Sequence, residues 1–396
     1  MKPIEIAKNI YWVGAIDWDV RDFHGYSTNR GTTYNAFLIM GKKITLIDTV
    51  KKSMKADLIA RISEIVDPAK IDYIVVNHVE MDHSGALPEM MELIKPEKLI
   101  CSTMGQKALV QHFHREDWPY EIAVPGKDVD LGGKTLSFLE TRMLHWPDSM
   151  FTYVKEDKLL FSSDAFGMHL GTSERFDDQI DPALLMEELT KYYANILTLY
   201  SPLVKKLIAK IKEIGLEIKT IAPDHGVVWR SNPMMAIEAY ERWSRSEGKG
   251  NALIIYDTMW HSTEQMAKEV ALGLQDEGIS VKLYNLRYNH RSDVMKEVLD
   301  ASAIILGCPT LNNGLLPRMA GFLMYMQGLR PANKIGAAFG SFGWSGESVK
   351  LLNESMTEMK FDLVDEGIKV KYVPDANALA TCTELGRKVG QALKAR

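Results

Sequence analysis

Cysteine is scarce in this sequence. The chain has 3 cysteines in 396 residues, Cys101, Cys308 and Cys382, and they are too widely separated to form a CxxC pair. This spacing excludes a rubredoxin-type iron site, a zinc knuckle and a redox disulfide. The amino terminus also lacks the basic region followed by an apolar region that marks a secretory signal. Low cysteine content and the missing signal together predict a cytoplasmic protein.

Long apolar runs and an excess of positive charge are also absent. No apolar run approaches the roughly 18 residues that a membrane span requires, so we expect no membrane association. The net charge is -5 and the sequence has no basic cluster, so we expect no nucleic-acid partner. The hydrophobic content of 46% is typical of a globular protein, and the length suggests two domains.

A short polar link, residues 246–250, separates two α/β regions. The sequence predicts one domain over residues 1–248 and another over residues 249–396. In the first, strands alternate with helices, and two consecutive amphipathic helices are expected between Pro182 and Ile214. In the second, five strands alternate regularly with helices, which predicts a doubly wound parallel sheet that binds ligands at the carboxyl ends of its strands.

Four side chains that can bind metal follow an apolar strand within six residues. They are His78, Glu80, Asp82 and His83. Their spacing resembles the H-x-H-x-D-H zinc motif of the metallo-β-lactamase superfamily, with Glu80 in place of the second histidine. Because a carboxylate is a harder and more anionic ligand than imidazole, the substitution favours iron or manganese over zinc.

Three further candidate ligands, His145, Asp164 and His225, each lie just beyond a predicted strand. With the first four they supply four imidazoles and three carboxylates, which are too many for one ion. The set therefore predicts two metal ions, with Asp164 as the most plausible bridge. Nothing in the sequence aligns the remaining histidines considered with this cleft, and we expect no metal-binding role for His112, His114, His169, His261 and His290, of which His112, His114, His169 and His290 are expected to be ordinary structural residues.

Three polar loops follow alternating strands of the second region and predict a flavin site. The first opens a helix, so its hydroxyl and backbone N–H groups can bind a phosphate. The sequence has no G-x-G-x-x-G, which favours the mononucleotide FMN over a dinucleotide. Trp260 and Trp344 are candidates to flank the ring, and a flavodoxin-like module without flavin is the alternative. The predicted contacts are Thr258, Met259, Trp260, His261, Ser262, Thr263, Pro309, Thr310, Leu311, Asn312, Asn313, Ser341, Phe342, Gly343, Trp344, Ser345 and Gly346.

Over its whole length the chain resembles the flavodiiron proteins, also called A-type flavoproteins. The resemblance implies a metallo-β-lactamase-like αββα domain followed by a flavodoxin-like domain that binds FMN. It implies one iron held by His78, Glu80, His145 and Asp164, and a second held by Asp82, His83, His225 and the bridging Asp164. Some family members leave the position of His83 uncoordinated. It also places His24, and Tyr192 or Tyr193, near the distal face of the diiron pocket.

The resemblance implies a reductase that converts O2 to water, NO to N2O, or both. It further implies a head-to-tail homodimer, alone or paired into a dimer of dimers, with an external electron donor. Rubredoxin is the expected donor, and reduced coenzyme F420 is the alternative. A lactamase-fold metallohydrolase, in the manner of glyoxalase II, and a pure electron carrier are the rival functions; Glu80 and the second domain oppose the first, and the complete ligand set opposes the second.

Overall fold

The computed structural model describes residues 2–396, which form two compact units. The first comprises residues 2–192 and Pro202–Glu241, and the second comprises Tyr193–Ser201 and Arg242–Arg396. The division near residue 241 lies close to the predicted boundary at residue 248, which stays a prediction. Within residues 2–396, every helix is too short or too polar to cross a bilayer.

The first unit is built on two sheets and two short ribbons. Its strands are β1 (Ile4–Ala7), β2 (Ile10–Trp12), β3 (Ala15–Asp17), β4 (Asp22–Phe23), β5 (Tyr26–Ser27), β6 (Thr32–Tyr34), β7 (Phe37–Ile39), β8 (Thr45–Ile47), β9 (Tyr73–Val76), β10 (Lys98–Cys101), β11 (Tyr120–Ile122), β12 (Val129–Asp130), β13 (Thr135–Glu140), β14 (Met150–Val154), β15 (Leu159–Phe161) and β16 (Thr220–Ala222). The helices of this part of the chain are α1 (Lys55–Ser63), α2 (Met81–Ser84), α3 (Leu87–Ile94), α4 (Thr103–Phe113), α5 (Pro182–Tyr192), α6 (Ser201–Glu213) and α7 (Pro233–Ser244).

The seven-stranded sheet has the order β1-β2-β7-β8-β9-β10-β11, and the five-stranded sheet has the order β12-β13-β14-β15-β16. Apolar residues from both sheets, such as Phe37, Val75, Phe138 and Phe161, form one core between them. A second core lies where α1, α3 and α4 cover the other face of the larger sheet. The two helices predicted between Pro182 and Ile214 are present as α5 and α6.

The second unit contains a single sheet in which all the paired strands are parallel. Its strands are β17 (Ala252–Tyr256), β18 (Val281–Asn285), β19 (Ala303–Gly307), β20 (Ile335–Phe342), β21 (Asp362–Leu363) and β22 (Ile368–Lys371). Its helices are α8 (Ser262–Asp276), α9 (Arg291–Asp300), α10 (Pro317–Leu329), α11 (Ser348–Glu358) and α12 (Ala376–Lys394). The order β18-β17-β19-β20, with β22 also paired to β20, is the doubly wound arrangement that the sequence predicts. Strands β17 and β19 are buried along their whole length, as expected for strands covered on both faces.

Candidate dinuclear metal centre and flavin cavity

The seven predicted metal ligands lie at the carboxyl ends of strands in the first unit. His78 follows β9, and Glu80, Asp82 and His83 lie in or beside the short helix α2. The other three follow β13, β15 and β16. Because these loops leave the two sheets at the same edge, side chains that are up to 147 residues apart in sequence, from His78 to His225, meet in one cleft.

One half of the cleft brings together His78, Glu80, His145 and Asp164. The Glu80 Oε2 atom lies 3.3 Å from His78 Nε2 and 3.2 Å from His145 Nε2. Asp164 Oδ2 lies 3.4 Å from His78 Nε2 and 3.0 Å from His145 Nε2. Two imidazole nitrogens and two carboxylates therefore converge on one point, which is a ligand set for a single cation.

The other half brings together Asp82, His83 and His225. The Nε2 atom of His225 lies 3.2 Å from Asp82 Oδ2, and that of His83 lies 3.4 Å from Asp82 Oδ1. Asp164 reaches this half with its second oxygen, since Oδ1 lies 3.2 Å from His83 Nε2 and 3.5 Å from His225 Nε2. One carboxylate thus faces both halves, which is the geometry of a bridging ligand.

Several of these buried ligand atoms have no hydrogen-bond partner. They are both carboxylate oxygens of Asp82, both ring nitrogens of His83 and Oδ1 of Asp164. Leaving a buried polar atom unpaired costs about 1–3 kcal/mol, and more for a charged group. Cations placed between the ligands would satisfy the carboxylate oxygens and His83 Nε2, the ring nitrogen that faces Asp82 and Asp164. The residues therefore fit a pair of metal ions, in agreement with the ligand count that the sequence predicts.

Two of the imidazoles are oriented through their other ring nitrogen. His78 Nδ1 lies 3.0 Å from Asp148 Oδ2, and His225 Nδ1 lies 2.6 Å from the carbonyl oxygen of Thr33. A carbonyl only accepts hydrogen bonds, so His225 carries its proton on Nδ1 and presents the Nε2 lone pair to the cleft. Asp148 also accepts a hydrogen bond from Val79 N at 2.7 Å. The sequence predicted neither Asp148 nor the Thr33 carbonyl.

The charged groups of the cleft shift one another's pKa values strongly. Burial raises the pKa of the Asp164 carboxyl, but the facing imidazoles of His83, His145 and His78 hold it well below its usual range. Burial lowers the pKa of His83, whereas the carboxylates of Asp82, Asp164 and Asp224 raise it to about 10. Protons and metal ions therefore compete for the same nitrogen lone pairs.

The three further residues predicted near the metals lie in different surroundings. His24 Nε2 lies 3.5 Å from Glu80 Oε1, and the His24 side chain is exposed. The buried ring of Tyr192 lies 6.1 Å from the His225 ring, measured between centroids. Tyr193 instead places its hydroxyl 2.9 Å from Ser201 Oγ and packs its ring on Trp243, which are contacts of the second unit. The structure thus supports a place beside the ligands for His24 and Tyr192, and gives no such support to Tyr193.

His169, for which the sequence predicted an ordinary structural role, lies beside the predicted ligands. Its ring centroid is 4.7 Å from that of His225, and its Nδ1 atom is 2.8 Å from Thr32 Oγ1. Its Nε2 atom is buried and has no hydrogen-bond partner. Burial and the neighbouring His225 lower the pKa of His169 well below its usual value, so its imidazole is neutral.

The second unit contains a cavity of about 560 Å³ at the carboxyl ends of its strands. The three predicted loops line it, through Met259, Trp260 and Ser262, through every residue from Pro309 to Asn313, and through every residue from Ser341 to Ser345. Thr258, His261, Thr263 and Gly346 do not line it. Two residues that the sequence did not predict, Tyr372 and Val373, complete the wall; they follow β22, whose end lies beside β20.

The cavity suits a flat ring carrying a phosphate chain. Trp260 and Trp344 are 88% and 85% exposed, so both indoles are available to a ligand. Thr258 Oγ1 is buried without a hydrogen-bond partner just before α8, and the amino end of that helix favours an anion. Although Thr263 does not line the cavity, its hydroxyl lies 3.1 Å from Ser341 Oγ and links two of the loops.

Comparisons with known proteins match both units. Residues 32–226 match the model of the ODP family beta lactamase, and residues 254–386 match the flavodoxin model. The chain is 50% identical over 391 residues to a nitric oxide reductase of Moorella thermoacetica, covering 98% of each chain. It is 46% identical over 399 residues to a rubredoxin-oxygen oxidoreductase of Megalodesulfovibrio gigas, covering 100% of this chain and 99% of the relative.

Solved structures agree over the full length. The rubredoxin oxygen:oxidoreductase from Desulfovibrio gigas superposes with a TM-score of 0.98 at 46% identity, covering 100% of this chain and 99% of that one. The flavodiiron protein from Giardia intestinalis superposes with a TM-score of 0.96 at 34% identity, covering 100% and 97%. These matches confirm the predicted metallo-β-lactamase-like and flavodoxin-like folds, and the chain belongs to the flavodiiron protein family.

Proposed function

We propose that this protein is an oxidoreductase that reduces O2 to water, NO to N2O, or both, at a non-haem diiron site re-reduced by FMN. The observation that carries the proposal is the presence, in one chain, of a two-metal ligand set and a flavodoxin cavity. A lactamase-fold hydrolase would have no use for a bound flavin. The relatives named as nitric oxide reductase and rubredoxin-oxygen oxidoreductase support the same chemistry.

In this proposal His78, Glu80 and His145 hold one iron, Asp82, His83 and His225 hold the other, and Asp164 bridges them. Three carboxylates among seven ligands favour iron over zinc. When bound, two ferrous ions and a fully reduced FMN supply four electrons, which is the number that O2 needs to become two waters, while two NO molecules need only two.

Aromatic side chains around His169 shape the space next to these ligands. The rings of Phe23, Tyr26 and Tyr192 all lie within 5.1 Å of the His169 ring, between centroids. In this proposal, such a wall keeps bulk water away from the metal ligands. In this proposal the exposed imidazole of His24, whose Nε2 atom lies beside Glu80, donates a hydrogen bond to a bound substrate.

For FMN, we propose that the loop before α8 holds the phosphate and that the loops after β19 and β20 enclose the ring. Trp344 and Tyr372 offer aromatic faces to the isoalloxazine. The unpaired hydroxyl of Thr258 is a candidate phosphate donor. Residues 249–396 form the flavin domain in this proposal, and residues 1–248 form the diiron domain.

We propose rubredoxin as the electron donor, with reduced coenzyme F420 as the alternative. A relative named rubredoxin-oxygen oxidoreductase supports the first choice. We further propose a head-to-tail homodimer, alone or paired into a dimer of dimers, in which the flavin of one subunit serves the metals of the other. A catalytically competent protein that is monomeric by light scattering would contradict this part. The three free cysteines are consistent with a cytoplasmic location.

Purification under anaerobic conditions tests the central proposal. We expect flavin absorbance together with about two irons per chain, as a dinuclear site requires. Zinc without flavin would overturn it in favour of a hydrolase. Stopped-flow mixing of the fully reduced protein with O2 and with NO, in parallel, then measures which substrate reoxidises it faster.

A further inference from the structure

Asn35, which directly follows β6, binds the chain on both sides of the predicted ligand His225. Its side chain is fully buried. Its Nδ2 atom donates hydrogen bonds to the carbonyl oxygens of Pro223 at 2.7 Å and Gly226 at 3.1 Å. Its backbone N–H donates to the carbonyl of Asp224 at 2.7 Å. One residue therefore fixes three of the carbonyls that surround His225.

The orientation of this amide is fixed from its other end. Asn35 Oδ1 accepts hydrogen bonds from Trp12 Nε1 at 2.8 Å and from Arg175 Nη1 at 3.4 Å. The guanidinium groups of Arg175 and Arg61 lie 4.5 Å and 5.1 Å from the centroid of the Trp12 ring. Because Oδ1 faces two donors and Nδ2 faces two carbonyls, a flipped amide would lose every one of these bonds.

Thr33, two residues before Asn35, controls the rotation of the His225 ring. The Thr33 carbonyl accepts from His225 Nδ1, as described above, and Thr33 Oγ1 accepts from Gly226 N at 2.7 Å. The ring nitrogen Nε2 then points at the oxygens of Asp82 and Asp164. Thr33 thus sets the direction of the ring, while Asn35 sets the position of the backbone that carries it.

We propose that Asn35 is a positioning residue for His225 and thereby sets the affinity of the metal position formed by Asp82, His83 and His225. This inference rests on the dinuclear centre of the proposed function. The other position has no ligand in residues 223–226, so it should not depend on Asn35. Loss of a hydrogen bond that orients a metal ligand typically weakens binding about 10–100-fold, and we expect this loss at one position only.

Two substitutions distinguish the positioning of His225 by Asn35 from an effect of charge on metal binding. Asn35→Ala removes the whole amide. Asn35→Asp keeps the shape and the acceptor for Trp12 and Arg175, but it turns an oxygen instead of Nδ2 toward the carbonyls of Pro223 and Gly226. The added negative charge would by itself strengthen cation binding. Weaker binding in Asn35→Asp would therefore identify the lost donors, and not a change in charge, as the cause.

The experiment measures iron in the holoprotein during timed competition with a chelator. We expect one iron per chain to be lost about 10–100-fold more readily in both variants, with the second iron retained as in wild type. Electron paramagnetic resonance of the half-reduced protein should change from the signal of a coupled iron pair to that of an isolated ferric ion. If Asn35 only supported the fold, its loss would not change the release of one iron more than that of the other.

Asn195→Asp is the matched control. Asn195 is also buried, its Nδ2 donates to Ser292 O at 3.0 Å and its Oδ1 accepts from Tyr325 Oη at 2.8 Å. These contacts belong to the second unit, so iron release should equal that of wild type.

Three outcomes would overturn the inference. If the Asn35 variants release both irons as wild type does, positioning is wrong while the proposed function stands. If they lose both irons in parallel, Asn35 supports the fold in general and not one metal position. If wild type itself never holds two irons, the proposed function fails and the inference fails with it.

Discussion

Replacing Glu80 by histidine should change which metal the protein holds. Glu80 Oε2 lies within 3.3 Å of the Nε2 atoms of both His78 and His145, so its carboxylate is central to one metal position. Glu80→His leaves two carboxylates among the seven predicted ligands and produces the H-x-H-x-D-H zinc motif of the metallo-β-lactamase superfamily. We expect more bound zinc, less bound iron and loss of reductase activity.

The loss of one negative charge also changes the redox potential of the iron that remains. A unit charge about 4 Å from an ion contributes about 4 kcal/mol at an effective dielectric constant near 20. That charge favours the oxidised ion, because the ferric form carries one more positive charge. Since about 1.4 kcal/mol corresponds to about 59 mV for a one-electron couple, the midpoint potential should rise by on the order of 170 mV.

The assay combines metal analysis of protein expressed with iron and zinc in the same medium and a redox titration of the bound iron. Glu80→Gln separates the effect on metal preference from the effect on potential, because it removes the charge but keeps an oxygen donor of the same size. It should share the higher potential of Glu80→His and retain more iron than Glu80→His does. Glu92→His, at an exposed position of α3, controls for the added imidazole. Retained iron, an unchanged potential and full turnover in Glu80→His would refute the reasoning.

Three further predictions concern other parts of the molecule. Asp148→Asn leaves His78 with a neutral acceptor, so chelator competition should show about 10–100-fold weaker metal binding at that position; unchanged affinity would contradict this. Trp344→Ala should raise the FMN dissociation constant about 2- to 12-fold, measured by flavin fluorescence, whereas Tyr288→Ala, outside the cavity, should bind flavin as wild type does. Burial lowers the pKa of the Lys334 ammonium from 10.5 to about 8, so between these pH values the unfolded chain holds a proton that the folded chain does not, and stability rises with pH. The free energy of unfolding should rise by on the order of 3 kcal/mol. Urea unfolding from pH 7 to 10.5 should show this rise in wild type relative to Lys334→Met. An equal pH dependence in both proteins would contradict the prediction.

The predicted ligands were visible in the sequence because each follows a strand. Strand ends can be located from apolar runs and their boundaries, and parallel strands end at a common edge. The groups that orient those ligands left no such signal. Asp148 lies 70 residues from His78, and the acceptor for His225 is a backbone carbonyl 192 residues away. Any residue type can supply a carbonyl, so only the three-dimensional structure reveals this partner.

The two adjacent tyrosines show a different limit. The α-helix α5 ends at Tyr192, and a π-helix covers Tyr193–Leu197. This change of period alters the direction of each following side chain, so helical spacing could not decide which tyrosine faces the ligands.

His169 was likewise unpredictable, because its position beside His225 depends on the turn that follows β15. In the flavin cavity, Tyr372 and Val373 lack the polar composition by which the other loops were recognised.

The groups that orient His78 and His225 differ in charge, and this difference makes the two metal positions unequal. His78 donates its Nδ1 proton to the carboxylate of Asp148, whereas His225 donates its own to the neutral carbonyl of Thr33. A carboxylate partner makes an imidazole a stronger base than a carbonyl partner does. Each position has one carboxylate of its own, Glu80 or Asp82, so the stronger basicity of His78 is what favours a higher positive charge at its position. The bridging carboxylate of Asp164 is shared, and the asymmetry therefore comes from residues that only one position contacts.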